Sequence, residues 1–138
     1  MNLQDGFSKF NDHWSPKVVG EVNGMHVKLV KLEGDFDWHH HDTEDELFMV
    51  VNGIMKMQFR DRDVLVNPGE FIIVPRLVEH CPSVPEGEAE IMLFEPASTL
   101  NTGNVVTDKT VVELDSMSST NGELTRGSGN DYNRAKGR

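Results

Sequence analysis

A single cysteine, Cys81, stands in the 138 residues of the chain. No disulfide can close within it, which excludes a small secreted scaffold stapled by cystines and points to a reducing compartment. Long apolar runs are missing too, and none approaches the ~20 residues that a membrane-spanning helix needs. The opening MNLQDGFSKF has neither the basic nor the apolar stretch of a secretory signal, so a cytoplasmic protein is expected. Basic residues are scarce: 13 Lys and Arg face 23 Asp and Glu, a net charge of −10. Such a charge repels phosphate backbones and anionic headgroups, so neither nucleic acid nor a membrane is expected as a partner.

What is present suits one folded domain. Hydrophobic residues make up 37% of the chain, enough for a packed core in a length typical of a single domain. Leu3, Phe7, Phe10 and Trp14 share one helical face, with Asn2 placed to cap the N-terminus and Pro16 just beyond the end. A short leading helix is predicted. From Val18 the period becomes two: Met25, Val27 and Leu29 alternate with His26 and Lys28, and similar runs at 46–51, 54–59, 64–66, 71–75 and 89–95 read as strands. Asn23-Gly24, Gly34-Asp35, Asn52-Gly53, Asp61 to Asp63, Asn67-Pro68-Gly69 and Pro85-Glu86-Gly87 read as turns between them. Many short strands with little helix predict an all-β antiparallel jelly-roll barrel.

After Leu114 the composition changes. Residues 115–138 hold four of the chain's 12 glycines and carry a charge of +1, against −11 for residues 1–114. The expectation is a single domain over 1–114 followed by a low-complexity, disordered tail.

The chemistry concentrates in Trp38-His39-His40-His41-Asp42-Thr43-Glu44-Asp45-Glu46-Leu47-Phe48. On a strand His39 and His41 share a face while His40 takes the other, so two imidazoles can reach one ion. A register slip by one would exchange His40 for its neighbours. Glu46 opens an apolar run and shares its side with Phe48 and Val50. A lone carboxylate buried there costs several kcal/mol, by order of magnitude, unless a cation compensates. His80 follows the strand Phe71-Ile72-Ile73-Val74 through a short turn and adds a fourth candidate. Three imidazoles and a carboxylate suit iron, manganese, nickel, zinc or copper rather than calcium or magnesium. His13 and His26 read as satisfied or surface residues, Glu44 and Asp45 as solvated loop acids, and Cys81 as a packed thiol.

With these residues in hand, the chain resembles the cupin superfamily in both of its motifs. The first is carried by Gly34, His39, His41, Glu46 and Gly53, and the second by Gly69, Pro75 and His80. The resemblance implies that His39, His41, Glu46 and His80 bind a divalent transition metal inside a jelly-roll barrel. It is closer to small single-domain cupins labelled mannose-6-phosphate isomerase-like, over about residues 1–114, including His13-Trp14-Ser15-Pro16-Lys17 and Asn101-Thr102-Gly103. Leu77 replaces the second-motif glycine, and Val84 stands where asparagine is usual. Small cupins of this kind often dimerise, so a homodimer is expected, with the leading helix and the strand at 18–23 as its interface elements.

A two-residue Asn52-Gly53 hairpin would pair Val50 with Met55. On that register Phe48, Val50, Met55, Met57 and Phe59 face inward and form an apolar wall for a small-molecule ligand, with Asp37 and Arg76 as the nearest polar candidates. Three functions follow: a metal-dependent enzyme on a small organic molecule, of oxygenase, isomerase or lyase type; a non-catalytic binding or sensing protein using the same pocket; and a structural dimer stapled by its metal.

Overall fold

The computed structural model describes residues 1–117 and 124–125. Its elements run α1 (Leu3–Phe7), β1 (Lys17–Val22), β2 (Met25–Asp35), β3 (Glu46–Asn52), β4 (Met55–Phe59), β5 (Asp63–Val66), β6 (Phe71–Val74), β7 (His80–Pro96), β8 (Asp115–Met117) and β9 (Leu124–Thr125). The architecture is the expected all-β cupin-type barrel with a short N-terminal helix. No helix among the described residues is long and apolar enough to cross a membrane.

The 17-residue β7 organises the sheet. One of its edges pairs with β2 along nearly its whole length. The other takes β4 at His80 to Ser83 and β3 at Glu90 to Phe94, so one strand serves both halves of the barrel. The sequences at Gly34-Asp35 and Pro85 to Gly87 are therefore not turns between strands. They form a bulge at which Glu33 pairs with Glu88 and Gly34 with Val84, with 85–87 looped out. Bulges of this kind bend a strand and increase its twist, which lets β2 and β7 curve around a core.

Asn52-Gly53 also departs from expectation. β3 pairs with β6 and β7, and β4 with β5 and β7, so these neighbours do not form a hairpin with one another. Gly53 instead crosses from one half of the barrel to the other while lying against β7. A Cβ there would fall 2.3 Å from the Glu88 carbonyl oxygen and 2.8 Å from Ala89 Cα, a space only glycine can occupy.

The barrel interior is filled by a cluster including Val30, Leu32, Phe48, Val50, Met55, Met57 and Phe59. A second cluster, of Phe7, Phe10, Val19, Leu29 and Met117, sits outside the sheet. β2 is thus buried on both faces, Val30 and Leu32 inward and Leu29 outward. The helix is shorter than its apolar spacing suggests. Asn2 caps it through a bond from the Asp5 N–H, and it ends at Ser8, whose hydroxyl donates back to the Asp5 carbonyl. The chain beyond carries Phe10 into the outer cluster, while Trp14 stacks on Phe36 at 4.6 Å and donates its indole N–H to the Glu33 carbonyl. Trp14 therefore belongs to the barrel mouth and not to a helix face.

Ordered chain also continues past Leu114. Asp115–Met117 forms β8, parallel to β1, because the fully buried ammonium of Lys17 needs its anions: Asp115 at 2.7 Å and Asp12 at 2.8 Å. The remainder of the expected tail, 118–123 and 126–138, lies outside the described residues.

Candidate metal centre

His39 and His80 come from the two separate motifs, and backbone pairing joins them. The His39 N–H donates to the His80 carbonyl at 3.0 Å, and the His80 N–H returns a bond to the His39 carbonyl at 2.9 Å. The Leu77 N–H holds the His41 carbonyl at 2.7 Å. Leu77 makes that bond with φ +70, in the left-handed conformation glycine would adopt, and its side chain points to solvent. It does not narrow the mouth. On the opposite side the turn at Gly103 presses against the same segment: a Cβ on Gly103 would lie 2.2 Å from the His40 carbonyl oxygen and 2.9 Å from His39 Cδ2.

Clamped in this way, His39, His41, Glu46 and His80 bring one ligand atom each to within 4.8 Å of one another. Two atoms each about 2.1 Å from a shared ion lie at most ~4.2 Å apart, so a contraction of roughly half an ångström or more would bring them around one ion. All four residues are buried, His80 completely. The Nδ1 atoms of His39 and His80 face the carbonyls of Asp37 and Val78 at 2.8 and 2.9 Å. A carbonyl only accepts, so each Nδ1 carries the proton and each Nε2 presents a lone pair, the tautomer a metal requires.

The free ends are unsatisfied. His41 Nε2 and His80 Nε2 lie 2.8 and 3.2 Å from Glu46 Oε1, yet without hydrogen-bond geometry, and all three atoms are buried with no hydrogen-bond partner among the described residues. Buried polar atoms are rarely left so, and a cation among them would satisfy all three. The donor set therefore fits a divalent transition ion, with three nitrogens and one oxygen.

The protonation states agree. Burial, reinforced by the neighbouring His80, pushes the His39 imidazole down to about 4, so it is neutral at physiological pH. Burial would raise Glu46, but the Glu95 carboxyl and the imidazoles of His41 and His80 outweigh it and hold Glu46 well below the usual carboxylate range. The His39 shift has a measurable consequence. Because its folded pKa is depressed from 6.5 to about 4, its contribution to stability is complete above pH 6.5 and is lost as pH falls toward 4. Metal-free protein should lose about 3 kcal/mol of unfolding free energy over that window, and bound metal should shift the loss to lower pH. Denaturant melts at stepped pH, with and without chelator, measure both. Flat stability over this range would contradict a buried neutral His39.

The other sequence candidates are engaged elsewhere. His40 turns away and pairs with Asp42. His13 contacts Glu88 and Glu33. Asp45 accepts from the Arg76 backbone and side chain, and Asp37 accepts from the Thr107 hydroxyl. Burial raises the Cys81 thiol to about 11, an inert thiol as expected.

Beside the cluster opens a cavity of about 40 Å³, room for a group of a few non-hydrogen atoms. Its apolar wall includes Trp14, Leu32, Phe36, Phe48 and Leu93. Of the five residues expected to form that wall only Phe48 does so. Val50, on β3, and Met55, Met57 and Phe59, on β4, are packed in the core away from this cavity. Two charged residues in the interior escape the sequence reading. Lys28 and Glu95, each 2% exposed, pair at 2.8 Å, and Glu95 lines the cavity with His39 and Glu46. The available signal is parity: Lys28 shares a strand face with Val30 and Leu32, and Glu95 with Ile91 and Leu93.

Residues 25–104, more than half of the chain, match the cupin domain family. The chain belongs to that family. A cupin-2 domain protein of Shewanella frigidimarina shares 45% identity with this cupin and superposes with a TM-score of 0.68 over 70% of this chain and 93% of its own. An uncharacterised Bacillus subtilis protein, YdbB, is 35% identical over 63 residues, 45% of this cupin and 56% of the relative. An acireductone dioxygenase of Bacillus licheniformis is 36% identical over 67 residues, 45% of this cupin and 37% of the enzyme. The chain thus spans about half or less of the length of these curated relatives.

Proposed function

We propose that this cupin is a metal-dependent enzyme that acts on a small organic molecule, with oxygenation as the first reaction to test. His39, His41, Glu46 and His80 would hold iron, manganese, nickel, copper or zinc. The observation that carries this reading is the placing of four convergent ligand atoms, those of His41, Glu46 and His80 unsatisfied, at the end of an apolar cavity. Three neutral imidazoles and one carboxylate leave a divalent ion with a charge of +1. The group that completes such a site in a buried setting is a monoanion, so the substrate class is an enolate, phenolate or carboxylate whose oxygen approaches the metal while its apolar part rests on Phe48 and Leu93. The partial likeness to a dioxygenase supports oxygenation ahead of isomerase or lyase chemistry. The metal would supply Lewis acidity or redox chemistry, and the protein supplies ligand geometry and a dry wall.

The test is anaerobic loading with Fe(II), Mn(II), Ni(II), Cu(II) and Zn(II), then a panel of diketones, phenols, hydroxy acids and sugar phosphates with oxygen uptake and product analysis. Turnover restricted to metal-loaded protein supports the enzyme. Tight binding with no turnover on any metal would make it a sensing protein.

The homodimer also belongs to this proposal, with a changed interface. Phe7 and Phe10 are already buried within the chain, and β1 lies between β2 and β8, so neither element offers a free apolar edge. β6 does: among the described residues it pairs with β3 alone, and it exposes Phe71 and Ile73 by more than half. Light scattering should give about twice the 15.5 kDa chain mass, and Phe71→Lys should shift it to monomer. A monomeric wild-type chain at micromolar concentration would refute the dimer.

A further inference from the structure

The Lys28–Glu95 pair has no evident structural use. Buried ion pairs are often no more stable than an apolar replacement of the same volume, and in this one, buried at both ends, Glu95 shares the cavity wall with Val30, Leu32 and Leu93. Glu95 Oε1 accepts from Lys28 Nζ, while Oε2 is buried without a donor. Glu95 also lies against the carboxyl of Glu46.

The polar side chains on the cavity wall are His39, Glu46, Glu95 and Asn101. His39 and Glu46 point their free atoms at the metal position. Asn101 is committed at both ends, donating to the Lys109 carbonyl and accepting from the Val111 N–H. Glu95 is what remains to read a polar substituent. In a cavity this small and apolar, a buried carboxyl with a spare oxygen discriminates strongly, because a ligand lacking the matching group leaves it unpaired.

We propose that Glu95, fixed by Lys28, is the substrate-recognition group of this pocket, and that it hydrogen-bonds the hydroxyl of a small hydroxylated oxyanion whose other oxygen is held at the metal beside Glu46. This rests on the metal-site reading above.

The experiment compares glycolate with acetate, which differ by that hydroxyl, on Co(II)-loaded protein followed by the visible cobalt spectrum, with cobalt content measured alongside. Chelation by the hydroxyl contributes equally in all variants, so the difference between proteins isolates Glu95. In Lys28→Met/Glu95→Leu, which removes the pair without stranding a charge, glycolate affinity should fall at least tenfold, with acetate within twofold of wild type and cobalt retained. Should that variant not fold, Glu95→Gln keeps the volume and should weaken glycolate at least threefold with the same selectivity. Cobalt retained with glycolate and acetate unchanged, or weakened equally, overturns the recognition role and leaves the metal site standing. Cobalt lost from the variant alone assigns Glu95 to orienting Glu46 and also overturns it. Wild-type protein that holds cobalt but answers neither probe does the same, and wild-type protein that takes up no cobalt removes both readings.

Discussion

Replacing His80 by alanine should leave purified protein almost without metal. His80 is one of four candidate ligands, its Nδ1 is fixed by the Val78 carbonyl, and the apolar ring of Phe48 borders its own at 6.3 Å. If four ligands share a binding free energy on the order of 10–16 kcal/mol, losing one removes about 3–4 kcal/mol, a factor of roughly 10² to 10³ in affinity. The backbone bridge between residues 39 and 80 survives the substitution, so the fold should persist. His39→Ala should behave alike. His40→Ala, on the other face of the segment, should keep its metal. Elemental analysis of the three variants beside wild type decides it: full metal content in His80→Ala and His39→Ala would sink the assignment.

Truncation after Leu114 should destabilise the protein markedly. Lys17 is fully buried, and Asp115 is the better buried of its two anions. Removing one partner of a buried pair costs about 3–5 kcal/mol, lessened here by the remaining Asp12. The loss of Met117 from the cluster around Phe7, Phe10 and Leu29 adds to it. A net loss of about 3–5 kcal/mol corresponds to a fall of roughly 10 °C or more in melting temperature for a chain this size. Asp115→Asn in the full-length protein should reproduce part of the fall. A truncated protein that melts with wild type would show that β8 contributes nothing to the fold.

The four residues of the candidate metal centre are legible in the sequence because their signal is local. Two histidines of equal parity, a carboxylate opening an apolar run and a histidine after a buried strand each announce themselves without knowledge of the topology. The pocket depends on what packs against what, and there the reading failed in an instructive way. Asn52-Gly53 has hairpin chemistry, yet Gly53 is needed for close approach to β7, so the register drawn through it had no physical basis even though the side chains it turned inward are buried. Lys28 and Glu95 were missed for a related reason. Reading β2 as half-buried puts Leu29 inside and Lys28 outside, whereas α1 and Phe10 cover the outer face and make both parities interior. Composition alone placed the end of the ordered chain at Leu114, because one aspartate and one methionine in a polar stretch carry no visible pattern until their partners, Lys17 and Leu29, are known.

The most direct measurement of the central claim is X-ray absorption at the edge of whatever metal copurifies with the full-length chain. The site predicts about one transition-metal ion per chain with a shell of nitrogen and oxygen at about 2.0–2.2 Å and outer scattering from three imidazoles. A shell containing sulfur at about 2.3 Å, which only Cys81 or a methionine could supply, or protein that neither carries nor takes up a transition metal, would contradict it.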